Sequence, residues 1–203
     1  MTASVPGPDG ELRCPWSATA PEFLAYHDAE WGFPVADDRR LFEKLSLEVF
    51  QSGLSWRTIL VKRQNFRAAF HDFEFHSIAR FTDRDIERLL QDARIVRHRG
   101  KIEAVINNAR RAEELVDREG SLAALVWRYE PDARDLPKPQ TVSTSAASVA
   151  LSKDLREQGW KFVGPTTVFA FMQAMGLIND HAEECAIRSK AEREREVFIR
   201  PGH

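Results

Sequence analysis

Residues 37–53, DDRRLFEKLSLEVFQSG, carry the pattern from which the fold class of this 203-residue chain follows. The apolar residues recur at the spacing of one helix face, at Leu41, Phe42, Leu45 and Val49. Asp37 and Asp38 stand just before them, where an acidic side chain caps a helix N-terminus. Gly53 permits the turn at positive φ that commonly ends a helix. The stretch therefore predicts one amphipathic helix.

The same spacing recurs along the chain. It predicts helices over residues 65–73, 82–90, 121–129, 149–159 and 165–176, one from just after Gly100, and a last one through His181. Residues 131–148, with prolines and a Thr/Ser cluster, are predicted to form the one long connection. No stretch alternates like a strand, so we predict an all-α fold. A flexible lead-in over 1–10 and a charged tail over 189–203 would flank one domain over 11–188.

Composition places the chain among ordinary soluble globular proteins, with 43% hydrophobic and 30% charged residues. No apolar run approaches the length of a membrane span, and the first residues hold no apolar signal-peptide core. We therefore predict a cytoplasmic protein without a membrane partner. The net charge of −2 gives no global support for nucleic-acid binding, which would need a local basic patch.

The two cysteines lie near opposite ends of the chain, and each has a histidine nearby. Cys14 precedes His27, and His181 precedes Cys185 by one helical turn, on one face of the last predicted helix. Two cysteines and two histidines complete a tetrahedral zinc shell without an open position, as in structural zinc sites. Such an ion would join the two ends of the chain and restrict the unfolded state. Spacing alone leaves two alternatives open, a pair of inert buried thiols and a disulfide.

Glu48 places a carboxylate on the otherwise apolar face of the helix predicted at residues 37–53. A lone buried carboxylate is costly, so it must pair, take up a proton or bind a ligand. Pairing with Lys44, one turn earlier, is the structural alternative to a role in ligand binding. Residues 54–56 are expected on the loop that follows Gly53.

Aromatic residues crowd the stretch that also holds Cys14 and His27. They are Trp16, Phe23, Tyr26 and Trp31. Packing in a core is the ordinary role of such side chains. Fixed beside a metal and facing Glu48, they would instead form a stacking pocket for a planar ligand, such as a flat base with a carboxylate at its edge.

Residues 92–101, DARIVRHRGK, form a short turn rich in positive charge between two predicted helices. Backbone N–H groups at a helix start, with basic side chains beside them, favour phosphate binding. The residues expected to contact phosphate are Arg97, Arg99, Gly100 and Lys101. Two helices joined by such a turn can hold a nucleic-acid backbone without reading its sequence. A solvated basic loop is the alternative.

Taken in order, these features resemble the 3-methyladenine DNA glycosylase I family. The matching strings extend from near Cys14 to near Cys185, and several of them are unusual. They are RCPW (13–16), YHDAEWG (26–32), LE (47–48), QSGLSW (51–56), IVRHRGKI (95–102), STS (143–145), KFVG (161–164) and MQAMGLINDH (172–181).

The resemblance implies a helix-hairpin-helix enzyme that hydrolyses the N-glycosidic bond of 3-methyladenine in double-stranded DNA. By the family pattern, structural Zn²⁺ would be bound by Cys14, His27, His181 and Cys185. Glu48 would meet the flipped, cationic base in a pocket formed by Trp16, Tyr26, Trp31 and Trp56. Leu54, beside Gly53, would fill the gap left by the extruded nucleotide. We expect a monomer that uses water as nucleophile and does not cleave the DNA strand.

The chain departs from the family pattern at three positions. Val49 and Phe50 stand where the family commonly has Gly and Gln, and Arg94 stands where it commonly has Gly. If Val49 and Phe50 blocked the pocket, the protein would be a non-catalytic, zinc-stabilised DNA-binding or lesion-binding module. A zinc hydrolase is a further alternative, but four protein ligands leave no position for a catalytic water.

Overall fold

Ten α-helices make up most of residues 4–202, the part of the chain that the computed structural model describes. They are α1 (Pro21–Ala29), α2 (Asp38–Gln51), α3 (Trp56–Ala69), α4 (Phe75–Ile78), α5 (Asp83–Gln91), α6 (Arg99–Glu119), α7 (Leu122–Trp127), α8 (Ala146–Glu157), α9 (Pro165–Ala174) and α10 (Ala186–Val197). Short 3₁₀ turns lie at Pro15–Ala18, His71–Phe73 and Ala133–Asp135. The chain is thus mostly helical, as the apolar spacing predicts. No helix of residues 4–202 has both the length and the apolar character to cross a membrane.

Two short strands form a hairpin before the first helix, although the sequence predicts no strand. β1 (Val5–Pro6) pairs antiparallel with β2 (Leu12–Arg13), with Val5 opposite Arg13. Strands of two residues are too short for an alternating pattern to reveal them. The lead-in predicted to be flexible over residues 1–10 therefore takes part in the hairpin from Val5 onward, and residues 1–3 lie outside the described part.

Helix α2 lies at the centre of the fold and confirms the helix predicted from residues 37–53. It packs against α3, α6, α7 and α9, and both Phe42 and Phe50 are fully buried. Asp37 caps its N-terminus by accepting a hydrogen bond from the Arg40 N–H at 2.8 Å. Gly53 follows its end with a φ of 78°. Because α2 packs against four other helices, the side chains that it carries are held by a rigid element.

Caps at helix starts connect distant parts of the chain. Asp38 of α2 accepts hydrogen bonds from the backbone N–H groups of Leu122 and Ala123, at 3.0 and 2.8 Å, and so fixes the start of α7. His98 caps α6 through Nδ1, which accepts from the Lys101 N–H at 3.2 Å. Thr82 and Asp85 form a reciprocal capping box at the start of α5.

Two helix predictions are wrong in their position. The helix predicted over residues 65–73 is α3, which begins at Trp56 because Ser55 caps it by accepting from the Thr58 N–H. Trp56 therefore opens a helix instead of standing on the preceding loop. His181 is not helical and lies in the loop between α9 and α10, where neighbouring side chains bond to other segments of the chain. Asn179 Nδ2 donates to the Arg188 carbonyl at 3.0 Å, and Asp180 accepts from the Gln140 N–H at 2.9 Å.

The charged tail packs on the protein through α10, which begins at Ala186 and so crosses the predicted boundary at residue 189. Ala191 and Arg195 are buried. Arg195 donates to the Gly176 carbonyl and, at 2.7 Å, to Glu130. Arg200 also donates to Glu130, at 2.9 Å. These contacts fix the tail to the body.

Lys101 stabilises the end of α2, which generates a prediction about stability. Its side chain is buried, and Nζ donates to the carbonyls of Phe50, at 2.9 Å, and Ser52. Lys101→Met removes this donor and leaves buried carbonyls unpaired, so the free energy of unfolding should fall by about 1–3 kcal/mol. Urea unfolding measures this. The matched control is Lys153→Met, at an exposed position of α8. Equal stabilities of the two variants would contradict the capping role.

Candidate functional site

A cavity of about 620 Å³ opens between the N-terminal segment and helices α2, α3 and α9. It is lined by aromatic side chains and by one close pair of opposite charges. The residues that concern the argument are Trp16, Tyr26, Trp31, Lys44, Glu48 and Trp56. Its size and its mainly apolar wall with few polar groups are typical of a small-molecule or base site.

The aromatic wall is formed by residues that the sequence groups near the N-terminus. The Trp16 and Trp31 rings meet edge to face, with centroids 5.1 Å apart, and Tyr26 lies 5.3 Å from Trp56. Phe23 packs on Trp16 at 5.7 Å. Phe23, Tyr26 and Trp31 are buried and also line the cavity. Core packing and pocket lining, weighed as alternatives for these residues, are therefore both correct.

Glu48 is buried in this cavity with Lys44 as its partner. Lys44 Nζ lies 2.7 Å from Glu48 Oε1, and the two side chains are 7% and 5% exposed. The same ammonium lies 3.4 Å from the centroid of the Trp56 ring. Burial lowers the pKa of Lys44, but the charge of Glu48 outweighs it and the net pKa is raised. The pairing considered from the sequence is confirmed, and it stands inside the cavity.

Two polar groups of the wall lack a partner. Within residues 4–202, neither Tyr26 Oη nor Trp56 Nε1 makes a hydrogen bond, although both atoms are buried. Burial raises the pKa of Tyr26, so its hydroxyl keeps its proton and can donate. Buried polar atoms normally have partners, so these two groups are suited to meet a polar ligand.

Val49 and Phe50 do not line the cavity. Both are fully buried in the core instead, with no solvent-accessible surface. Phe50 packs on Phe66 and Phe70 with centroids 4.6 and 5.7 Å apart. The two departures from the family pattern therefore change the core behind α2 and leave the cavity open.

A cluster of metal-ligand atoms lies beneath the aromatic wall. One ligand atom each from Cys14, His27 and Cys185 lies within 4.8 Å of the others, and all three residues are buried. Both cysteines are free thiols, so the disulfide alternative is absent from the structure. His27 Nδ1 is 2.6 Å from Asp28 Oδ1, which leaves Nε2 directed at Cys185 Sγ, 3.6 Å away. A second partner of this kind fixes the orientation of a metal-binding histidine.

His181 lies beside this cluster and contacts the ring of His27, although it is not one of the three clustered residues. Its ring centroid is 5.0 Å from that of His27, and its Nε2 is buried without a hydrogen-bond partner in the described part of the chain. Nδ1 lies 2.9 Å from Asn179 Oδ1. Burial lowers the pKa of His181 to about 4, so the ring is neutral near pH 7 and able to bind a metal. The orphaned nitrogen and the sulfur and nitrogen donors fit zinc.

Gly32 makes the approach of His181 possible. Its φ is 84°, and a Cβ at this position would lie 2.6 Å from His181 Cε1. A side chain here would therefore push the imidazole away from the cluster. The sequence does not identify this requirement, because Gly32 and His181 are far apart in the chain.

The basic turn lies between α5 and α6, and its cations differ in availability. Arg97 is exposed, whereas Arg99 pairs with Glu87 and Arg94 pairs with Asp92 at 2.8 Å. Lys101 is a predicted phosphate contact and stays a prediction, although its buried ammonium bonds to carbonyls at the end of α2. Gly100 lies in the first turn of α6. Leu54, beside Gly53, is 42% exposed.

One polar end of the cavity was missed by sequence reasoning. Asp180 lines it and accepts from the Gln140 N–H at 2.9 Å and from Gln173 Nε2 at 2.6 Å. Gln173 and Asp180 both belong to the string MQAMGLINDH, one of the strings that carry the family resemblance, and that string is the sequence signal for them.

The chain is similar to proteins of known family along most of its length. A model of the methyladenine glycosylase family matches residues 16–189. DNA-3-methyladenine glycosylase 1 of Escherichia coli (strain K12) is 45% identical over 177 residues, which cover 85% of this chain and 95% of that protein.

Solved structures of similar fold belong to the same kind of protein. That of 3-methyladenine DNA glycosylase I from Staphylococcus aureus is 37% identical, with a TM-score of 0.79 and coverage of 87% of this chain and 96% of that one. A variant of 3-methyladenine DNA glycosylase I in complex with 3-methyladenine gives a TM-score of 0.81 at 37% identity, over 87% and 97% of the two chains. Sequence, fold and cavity lead to one conclusion: the chain belongs to the methyladenine glycosylase family.

Proposed function

We propose that this chain is a DNA repair glycosylase that hydrolyses the N-glycosidic bond of 3-methyladenine in alkylated double-stranded DNA. The observation that carries the proposal is Glu48, a carboxylate buried at the edge of a cavity walled by aromatic rings. The base of a 3-methylated adenine nucleotide is flat and positively charged, so rings and a carboxylate match both of its properties. Family membership and the names of the relatives support this substrate.

Recognition of the base would use three features of the wall. Tyr26 and Trp56 offer ring faces for stacking, and Glu48 offers a negative charge at the base edge. Tyr26 Oη and Trp56 Nε1 are free to bond polar atoms of the base. A neutral adenine lacks the charge that Glu48 attracts, and its glycosidic bond is stronger. Discrimination would therefore rest on the charge of the damaged base.

Base flipping would bring the nucleotide into this cavity. Leu54 is an exposed apolar side chain at the turn after α2, suited to fill the space that the nucleotide leaves in the duplex. The helices α5 and α6 with the turn between them would act as a helix-hairpin-helix unit. The start of α6 and the exposed Arg97 would hold the phosphates. We propose that the protein acts as a monomer in the cytoplasm.

Water would be the nucleophile, without cleavage of the DNA strand. A lyase step needs a neutral lysine amine to form a Schiff base. Lys44, the lysine that lines the cavity, is held in its charged form by Glu48. Trapping of a covalent enzyme–DNA adduct by borohydride would refute this part of the proposal. The alternative of a non-catalytic module loses its basis, because Val49 and Phe50 do not block the cavity.

We further propose that Cys14, His27, His181 and Cys185 bind a structural Zn²⁺. The support is the close cluster of three donors and the unpaired, buried Nε2 of His181 beside it. Zinc held by four protein ligands would supply no chemistry to the reaction, and would link the two chain ends. His27 and His181 also pack on Trp16 and Trp31, so the same link would position the aromatic wall.

Base release tests the role of Glu48. Wild-type protein should release 3-methyladenine from N-methylated duplex DNA, detected by chromatography. Glu48→Gln removes the charge that meets the cationic base, so single-turnover excision should slow by about tenfold to a hundredfold while DNA affinity stays unchanged. The matched control is Glu157→Gln, at an exposed position of α8. Unchanged kinetics in Glu48→Gln would mean that Glu48 is only structural.

Metal analysis tests the zinc site. Purified wild-type protein should contain zinc, and Cys185→Ser should contain much less. Loss of the link between chain ends should lower the free energy of unfolding by about 2–5 kcal/mol, as does the loss of a native cross-link. Excision per folded molecule should change far less than stability. A variant that keeps its thermal stability would count against a structural ion.

Gly32 tests His181 without altering a ligand. Gly32→Ala should move the imidazole away from the cluster and weaken zinc binding by about 10- to 100-fold. Gly120→Ala is the matched control, because φ is 87° there and a Cβ would meet no atom within 4 Å. Competition with a chromophoric zinc chelator measures both affinities. Equal affinities in the two variants would exclude His181 as a ligand.

A further inference from the structure

The cavity already contains a cation in contact with both groups that would recognise a cationic base. Lys44 Nζ lies 2.7 Å from Glu48 Oε1 and 3.4 Å from the centroid of the Trp56 ring. It also lies 5.2 Å from the centroid of Tyr26. An ammonium at these distances makes an ion pair and a cation–π contact at the same time. Glu48 and the face of Trp56 are therefore shared between the protein's own cation and any charged ligand.

The ammonium is fixed in this place by its helix. Lys44 and Glu48 are one turn apart on α2, a largely buried helix, and the Lys44 side chain is 7% exposed. The other charged groups of the lining have different partners. Arg57 pairs with Glu22 at 3.2 Å, and Asp180 accepts from Gln140 and Gln173. Lys44 is therefore the cation of the lining that pairs with Glu48, whereas Arg57 pairs with Glu22.

We propose that Lys44 is a specificity-determining residue whose ammonium competes with the methylated base for Glu48 and for the face of Trp56. This inference rests on the proposed function, because it places the base against these two side chains. A base would bind only if its own charge and stacking area compensate for displacing Lys44. A neutral base gains nothing from Glu48 and would leave the Lys44–Glu48 pair in place.

The competition also favours release of the product. When the bond between N9 of the base and C1′ of the sugar breaks, its electron pair stays on N9 and the base becomes neutral. Water adds to C1′ and loses a proton, so charge and atoms balance. The neutral 3-methyladenine then has no ion pair with Glu48 to keep it bound, and Lys44 returns to the carboxylate. With Lys44 competing for Glu48, the cavity therefore binds the charged substrate base weakly and the uncharged product more weakly still.

Two ligands that differ in charge and by one methyl group at N9 test the proposal. Neutral 3-methyladenine and its 9-methylated derivative, which carries a fixed positive charge, are titrated calorimetrically at pH 8 into wild type and Lys44→Met. The ratio of their dissociation constants should shift about tenfold toward the cation in Lys44→Met, because Glu48 has lost its competitor. Lys44→Arg keeps a cation and should restore the wild-type ratio. An unchanged ratio in folded Lys44→Met overturns the proposal. If Lys44→Met does not fold, Lys44→Gln is used in its place.

A double-mutant cycle separates competition from simple repulsion. In a Glu48→Gln background, Lys44→Met should shift the ratio much less, because only the face of Trp56 remains to be shared. A shift as large as in the wild-type background would mean that Lys44 merely repels cations, and would overturn competition for Glu48. Excision of 3-methyladenine from methylated DNA by the wild type is measured in parallel. If no base is released, the proposed function fails, whereas normal excision with an unchanged ratio refutes only the role of Lys44.

Discussion

The aromatic cavity depends on the contact between the two ends of the chain. His27, from the N-terminal segment, and His181, from the loop before α10, meet with ring centroids 5.0 Å apart, beside Cys14 and Cys185. Trp16 packs at 5.2 Å on His27, and Trp31 packs at 4.7 Å on His181. Two sides of the cavity therefore rest on the same buried cluster. A change that loosens the cluster would displace the groups proposed to bind the base, although none of the four donors needs to touch it.

Helix α2 imposes the second constraint, because it places a charged pair inside an apolar environment. A buried carboxylate without a partner would be costly, and Lys44 provides the partner from the same helix. The turn at Gly53 then directs Trp56 onto Lys44, and Lys101 secures that turn from α6 by bonding the carbonyls of Phe50 and Ser52. Lys101, at the end of the basic turn, thus supports the cavity from behind.

Apolar spacing and caps predicted most helices correctly, because α2, α5 and α6 have local signals at both ends. Prediction was wrong where distant contacts decide the backbone. His181 stands one turn before Cys185 in sequence, yet it lies in the loop before α10, where Asn179 and Asp180 bond to Arg188 and Gln140. The start of α3 was missed because its cap, Ser55, directly follows a turn that was read as a continuing loop. The two-residue strands are too short to give any periodic signal.

The identities of the candidate site residues follow from the order of residues alone, because a carboxylate on an apolar helix face and a Cys/His set at both chain ends are visible in one dimension. Their relations are set by the tertiary structure. Only packing shows that Lys44 contacts Trp56 as well as Glu48, that Gly32 leaves room for His181, and that Phe50 turns into the core. The reason is physical: each of these facts is a distance between side chains on different elements, and such distances depend on how helices pack, which local propensity does not encode.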